Sequence, residues 1–193
     1  MLIVRSAWRI AWIAAMIFAG GPVWAQTAQP NPAPAHDPHW KEYPYPDDGF
    51  AVLAPDAPNR HKSSQVSDGT AYVFSLADHS VALTVANFPD GCSAAFTQYL
   101  SSVRTTVKQL KEGTLDASKS GFRLDPSSVK EITVGGYAAS EYQQEVLKTG
   151  QMDFERWLCA GKRLYILAAS WPRGAARPAD VDRMAASFRL LSK

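Results

Sequence analysis

The chain has 193 residues, 46% of them hydrophobic and 20% charged, with a formal net charge of +2. That excess sits at the start: without Arg5 and Arg9 the 20 basic residues fall to 18 and match the 18 acidic ones. A near-neutral chain lacks the clustered cations needed to displace counterions from a polyanion, so no nucleic-acid partner is expected.

The opening "MLIVRSAWRIAWIAAMIFAGGPVWAQ" has two arginines and no acid, an apolar run from Ile10 to Phe18, a Gly-Gly-Pro break and small residues up to Ala25. It reads as a secretory signal peptide over residues 1–25, cleaved after Ala25. The apolar run is shorter than the ~20 residues of a bilayer span, so no stable membrane insertion is expected after leader removal. The chain is expected to be periplasmic or secreted. Residues 26–42, beginning "QTAQPNPAPAHDPHW", form a Pro-rich tether. A single domain then runs from 43 to 193, which is enough chain to bury a core without a metal.

"DDGFAVLAPDAP" has a turn signal, a short strand from Phe50 to Ala54 and two prolines that end it. The polar "NRHKSSQVS" suits an edge strand. Residues 70–77 place Tyr72, Phe74 and Leu76 on one face, and residues 80–88 place Val81, Leu83 and Val85 together, which predicts a hairpin. From Cys92 to Glu112 the apolar positions Phe96, Tyr99, Leu100, Val103, Val107 and Leu110 are three and four apart. That period predicts an amphipathic helix stopped by Gly113. "SGFRLDPSS" reads as a polar connection. "VKEITV" and residues 137–147, 151–159 and 163–171 read as strands, and their short connections allow only antiparallel neighbours. In "RLYILAASW" both faces are apolar, as in a central strand covered on both sides. A last helix opens at Pro178, with Asp180 and Asp182 early and Arg189 late, and aligns Val181, Met184, Ala185, Phe188 and Leu191.

The resulting class is α+β, a mainly antiparallel sheet flanked by helices. "GFAVLAPDAP", "GGYAASEY" and "RLYILAAS…SFRLL" in this order resemble the PsbP/Mog1-like α/β/α sandwich over most of residues 43–191. The resemblance implies a non-catalytic protein that binds a protein or cell-envelope partner, and it brings no catalytic residues with it. A small-molecule or lipid carrier and a hydrolase of unknown type are the alternatives.

Cys92 and Cys159 could form a disulfide, supply a reactive thiol near a helix N-terminus, or provide half a zinc site. An even count behind an export leader favours the disulfide. His36, Asp37 and His39 are metal-ligand types, but a tether does not fix their geometry, so neither a metal nor another cofactor is expected. His61 and His79 are expected at the surface. Asp78, His79 and Ser80 adjoin one another in a hairpin and lack the convergence of a triad, so no catalytic residue is assigned. Glu141, Gln143 and Glu145 alternate on one strand face, and the antiparallel register brings Arg156 beside them. These four are expected to form a solvated patch and are the candidate binding surface.

Overall fold

The computed structural model describes residues 40–63, 66, 68–76, 79–115 and 121–191. Strands β1 (Lys41–Tyr45) and β2 (Phe50–Ala54) form a hairpin. Its turn closes where Gly49 takes φ +71°, a conformation natural to glycine. β1 begins two residues before the domain boundary expected at 43.

The main sheet contains β3 (Asn59–Lys62), β4 (Gly69–Ser75), β5 (Ser80–Asn87), β6 (Phe122–Leu124), β7 (Lys130–Val134), β8 (Tyr137–Val146), β9 (Gln151–Ala160) and β10 (Arg163–Pro172). Its order is β3-β4-β5-β10-β9-β8-β6, with β7 also on β8, and every printed pairing is antiparallel. β10 is central, as its two apolar faces predict. The expected hairpin is β4 and β5, with Tyr72 opposite Leu83 and Phe74 opposite Val81.

The alternation along β10 divides the interior. Tyr165, Leu167, Ala169 and Trp171 join one core, which also takes Phe50 and Val52 of β2 and Val181, Met184 and Ala185 of helix α2 (Ala179–Ser187). Leu164 and Ile166 join the other core with Ala86, Trp157 and Phe96 of helix α1 (Ser93–Lys111). Each face of the sheet therefore has its own cover. One cover is α1; the other combines α2 with a three-stranded sheet.

Two expectations are corrected. The connection "SGFRLDPSS" contains β6, whose three residues pair with β8. The last helix stops at Ser187 rather than reaching Leu191: Phe188 is extended at φ −60°, ψ 124°, and Arg189–Leu190 form β11 on β2. Pairing with β2 satisfies backbone groups that another helical turn would have left at a frayed end. Arg189 instead meets Glu42 of β1 at 2.9 Å.

No helix among the described residues is long and apolar enough to cross a membrane. The overall result is a mostly antiparallel sheet with two helices.

Candidate functional site

Cys92 and Cys159 are joined in a disulfide with their Cα atoms 5.7 Å apart. Cys92 is fully buried at the N-cap of α1, and its amide donates to Gly161 O at 3.0 Å. The start of the helix is thus fastened to β9 by a covalent bond and to the β9–β10 turn by a hydrogen bond.

The antiparallel register does set Arg156 opposite Glu141, and the guanidinium donates to Glu141 Oε2 at 2.7 and 3.0 Å. The solvated character expected of this patch is not found. The side chains of Glu141 and Arg156 are 14% and 15% exposed, and Arg156 also donates to Ala185 O of α2. Glu145 is buried between Arg123 of β6 at 3.2 Å and Arg173 beyond β10 at 2.8 Å. Gln143 is half-buried, and its amide donates to Ser128 Oγ at 2.8 Å. Three of these four side chains are therefore largely covered, because α2, β6 and the segment after β10 close over a face that the hairpin alone would leave wet. What remains is a covered Glu141–Arg156 pair and a buried Glu145 carboxylate held by two largely exposed arginines, Arg123 and Arg173.

His36, Asp37, His39 and Asp78 lie outside the described residues. His61 is exposed on β3. His79 and Ser80 serve the hairpin: His79 O accepts from Leu76 N at 2.9 Å, and Ser80 pairs with Ser75 and Ser170. Among the described residues no group of three His, Cys, Asp or Glu side chains is placed to hold a metal ion.

The structure also contains a concavity that periodicity did not reveal, with a volume of about 630 Å³. It is lined by Tyr165 of β10 and Ala160 of β9, by Leu190 and Leu191, and by Gly49 of the β1–β2 turn. Gly135 and Tyr137 at the β7–β8 turn, with Gly135 close to Leu190, also line it, as do Lys162 and Arg163 at the start of β10. Tyr137, 45% exposed, is the one large exposed hydrophobic among the described residues. Lys162 is exposed, whereas Arg163 is half-buried and donates to Asp47 O in the β1–β2 turn. Tyr165 supports the same turn by donating to Asp48 O at 2.9 Å. Burial raises the Tyr165 phenol, and neighbouring Arg163 opposes that rise. The Asp48 carboxylate accepts from Tyr72 and from Arg60, the latter at 3.3 Å. The β1–β2 turn, whose Gly49 lines the groove, is thus pinned through four side chains, and the groove's lining is mixed apolar and cationic. The one sequence cue to it is an aromatic residue directly after the Gly135-Gly136 pair.

A second polar feature lies under α1. Glu155 of β9 is 2% exposed, and its Oε2 accepts from Tyr142 at 2.6 Å and Trp157 at 2.7 Å. Tyr99 of α1 stacks on Trp157 with centroids 4.1 Å apart, a contact worth roughly 0.5–1.5 kcal/mol beyond area burial. Burial raises both the Tyr99 and Tyr142 phenols well above the ordinary value, reinforced by the Glu155 carboxyl. Burial also raises Glu155 itself, against the hydrogen bonds from Tyr142 and Trp157. Asp153, two residues away, is pushed up to about 6 by burial, while its hydrogen bond from Ser170 at 2.5 Å opposes the shift. In "MDFERWL" the acids alternate in phase with Trp157 and Cys159, so strand parity alone places them on the same face of β9 as those two residues.

No family model matches the chain, and no curated protein matches it. Among solved structures it is similar to cyanobacterial PsbP (CyanoP) from Synechocystis sp. PCC 6803, with a TM-score of 0.55 and 14% identity over 88% of this chain and 99% of that one. A protein from Bacteroides thetaiotaomicron VPI-5482 matches with a TM-score of 0.43 and 12% identity, covering 79% of this chain and 49% of that one. A Pseudomonas aeruginosa protein of unknown function, described as a putative regulator, matches with a TM-score of 0.37 and 18% identity, covering 75% of this chain and 87% of that one. The first of these shows a PsbP-like fold.

Proposed function

We propose that this chain is an exported, non-enzymatic PsbP-like domain that docks a protein segment of the cell envelope in the groove between Tyr137 and Leu190. The observation that carries the reading is the exposed Tyr137 lining a groove of about 630 Å³ together with Lys162 and Arg163. Aromatic side chains and arginine are the residue types enriched where proteins bind, and a large exposed apolar side chain beside a preformed concavity is a usual anchor point. The PsbP-like fold is compatible with such a role but does not dictate it. Export is supported by the leader-like first 25 residues together with a disulfide, since disulfides persist in oxidising compartments.

Site-specific photocrosslinking in the exported fraction tests the proposal. A photoreactive aromatic residue at Tyr137 is expected to capture a discrete protein adduct that the same group at exposed Lys148 does not capture. Lys162→Glu should weaken that adduct. Identical adducts from both positions, or none from Tyr137, would remove the groove as the docking site.

A further inference from the structure

The last strand leaves main-chain groups unused. In the smaller sheet the order is β1-β2-β11, so β11 is an edge and pairs with β2 alone. Leu191 N donates to Gly49 O at 2.9 Å, while Leu190 stands opposite Phe50. Bonded and non-bonded pairs alternate along an antiparallel ladder, and both main-chain groups of a strand residue face the same side. Leu190 is therefore a non-bonded partner of Phe50, and its N–H and C=O face away from β2. The β1 side agrees: Ala51 stands opposite Pro44, which has no N–H, and turns its own groups toward Arg189. Neither main-chain group of Leu190 has a hydrogen-bond partner among the described residues. At the other margin of this sheet Pro44 faces outward and blunts the edge, whereas β11 carries no such guard.

Leu190 also lines the groove, together with Tyr137, Ala160 and Leu191. Lys162 and Arg163 share that lining, and no lining residue is acidic. Arg163 donates to a neutral carbonyl, Asp47 O, and neither cation forms an ion pair among the described residues. Resting on the groove reading above, we propose that the docked segment is an extended one, carrying Asp or Glu beside apolar residues, that adds to the free edge of β11. Main-chain bonds to Leu190 hold it extended, apolar side chains meet Tyr137 and Leu191, and a carboxylate compensates Lys162 and Arg163. A second copy placed symmetrically on this edge would bring the same two cations and no lining carboxylate to receive them. Being two residues long, β11 supplies one outward-facing position, enough to register a partner but not to template a growing sheet.

The test uses random peptide inserts displayed with both ends tethered, so that every carboxylate is a side chain, and selected on the full chain. Enriched inserts should combine Asp or Glu with apolar residues. Lys162→Glu should weaken the best of them, made as an end-capped synthetic peptide, by about tenfold. Scanning that peptide with backbone N-methyl groups should find one position whose methylation costs about tenfold, the donor to Leu190 C=O, with both neighbours tolerant. Leu190→Pro removes the outward N–H, leaves the β2 ladder its bonds, and should weaken the unmodified peptide as well. If that variant does not fold, the methyl scan decides alone. Enrichment of neutral or basic inserts, no enrichment, or a scan with no sensitive position or with adjacent ones would overturn the proposal, while a Tyr137 adduct would still uphold the groove as a docking site. No adduct at Tyr137 would remove both. An adduct with a second copy, or within one chain, would name another occupant and overturn the proposal too.

Discussion

Reducing the Cys92–Cys159 bond should cost about as much stability as any single covalent change in the molecule can. The bond spans a sequence separation of 67. In the chain-entropy treatment a closed loop of that length constrains the unfolded ensemble by about 4 kcal/mol at room temperature. The comparison is cleanest between oxidised and reduced wild type, because reduction leaves both sulfur atoms in place. The double substitution Cys92→Ala with Cys159→Ala would add a packing loss, since Cys92 is fully buried at the N-cap of α1. Urea unfolding monitored by far-ultraviolet circular dichroism, with and without reductant, should lower the midpoint and steepen the transition. The slope rises because the uncrosslinked chain exposes more surface on unfolding. A loss under about 1 kcal/mol with an unchanged slope would refute the reasoning, showing that the unfolded chain is not restrained by the crosslink.

Two further outcomes are expected. Asp153 holds its proton up to about pH 6 in the fold against 3.8 as the ordinary value. Its contribution to stability is therefore complete below the ordinary value and declines as pH rises toward 6, by about 3 kcal/mol at 1.36 kcal/mol per unit. Urea midpoints of wild type minus Asp153→Asn across pH 4 to 8 should show that decline, and a difference that stays constant with pH would count against it. Gly49→Ala places a β-carbon at φ +71°, 2.5 Å from Arg163 Nη1. It should destabilise by roughly 1–2 kcal/mol from the backbone alone and displace Arg163 from Asp47 O, read as a lower thermal midpoint. A variant as stable as wild type would show that the turn relaxes freely.

Most of the strand order was legible because it depends on local signals. In residues 163–171 apolar side chains fill both faces, which requires a covered centre, and short Gly-containing turns permit only antiparallel neighbours. β6 was not legible: Phe122–Leu124 is three residues in a polar stretch, and its extended shape is imposed by the edge of β8. At the C-terminus the helical spacing of Met184, Phe188 and Leu191 competed with hydrogen bonding to β2, and the long-range pairing prevailed. Long-range packing also accounts for the site. The pairing of Glu141 with Arg156 could be read from one hairpin, but its burial depends on α2, and that of Glu145 on Arg173. The groove escaped notice because Leu190 meets Gly135 only after β11 joins β2, across more than fifty residues of chain.

The division of labour along β8 bears on how copies of this protein behave in a crowded compartment. Residues 137–141 of β8 pair with β7 and residues 144–146 with β6, while Asp125 N and Ser128 Oγ bond the Gln143 backbone between them. That side of the sheet thus ends in two short, offset fragments. The opposite side ends in β3, four exposed residues including Arg60, His61 and Lys62. Edge-to-edge aggregation needs a long, flat, uncharged strand as its template. Neither margin supplies one, so the sheet is protected against growing by addition of its own kind, and association is directed to surfaces made by side chains.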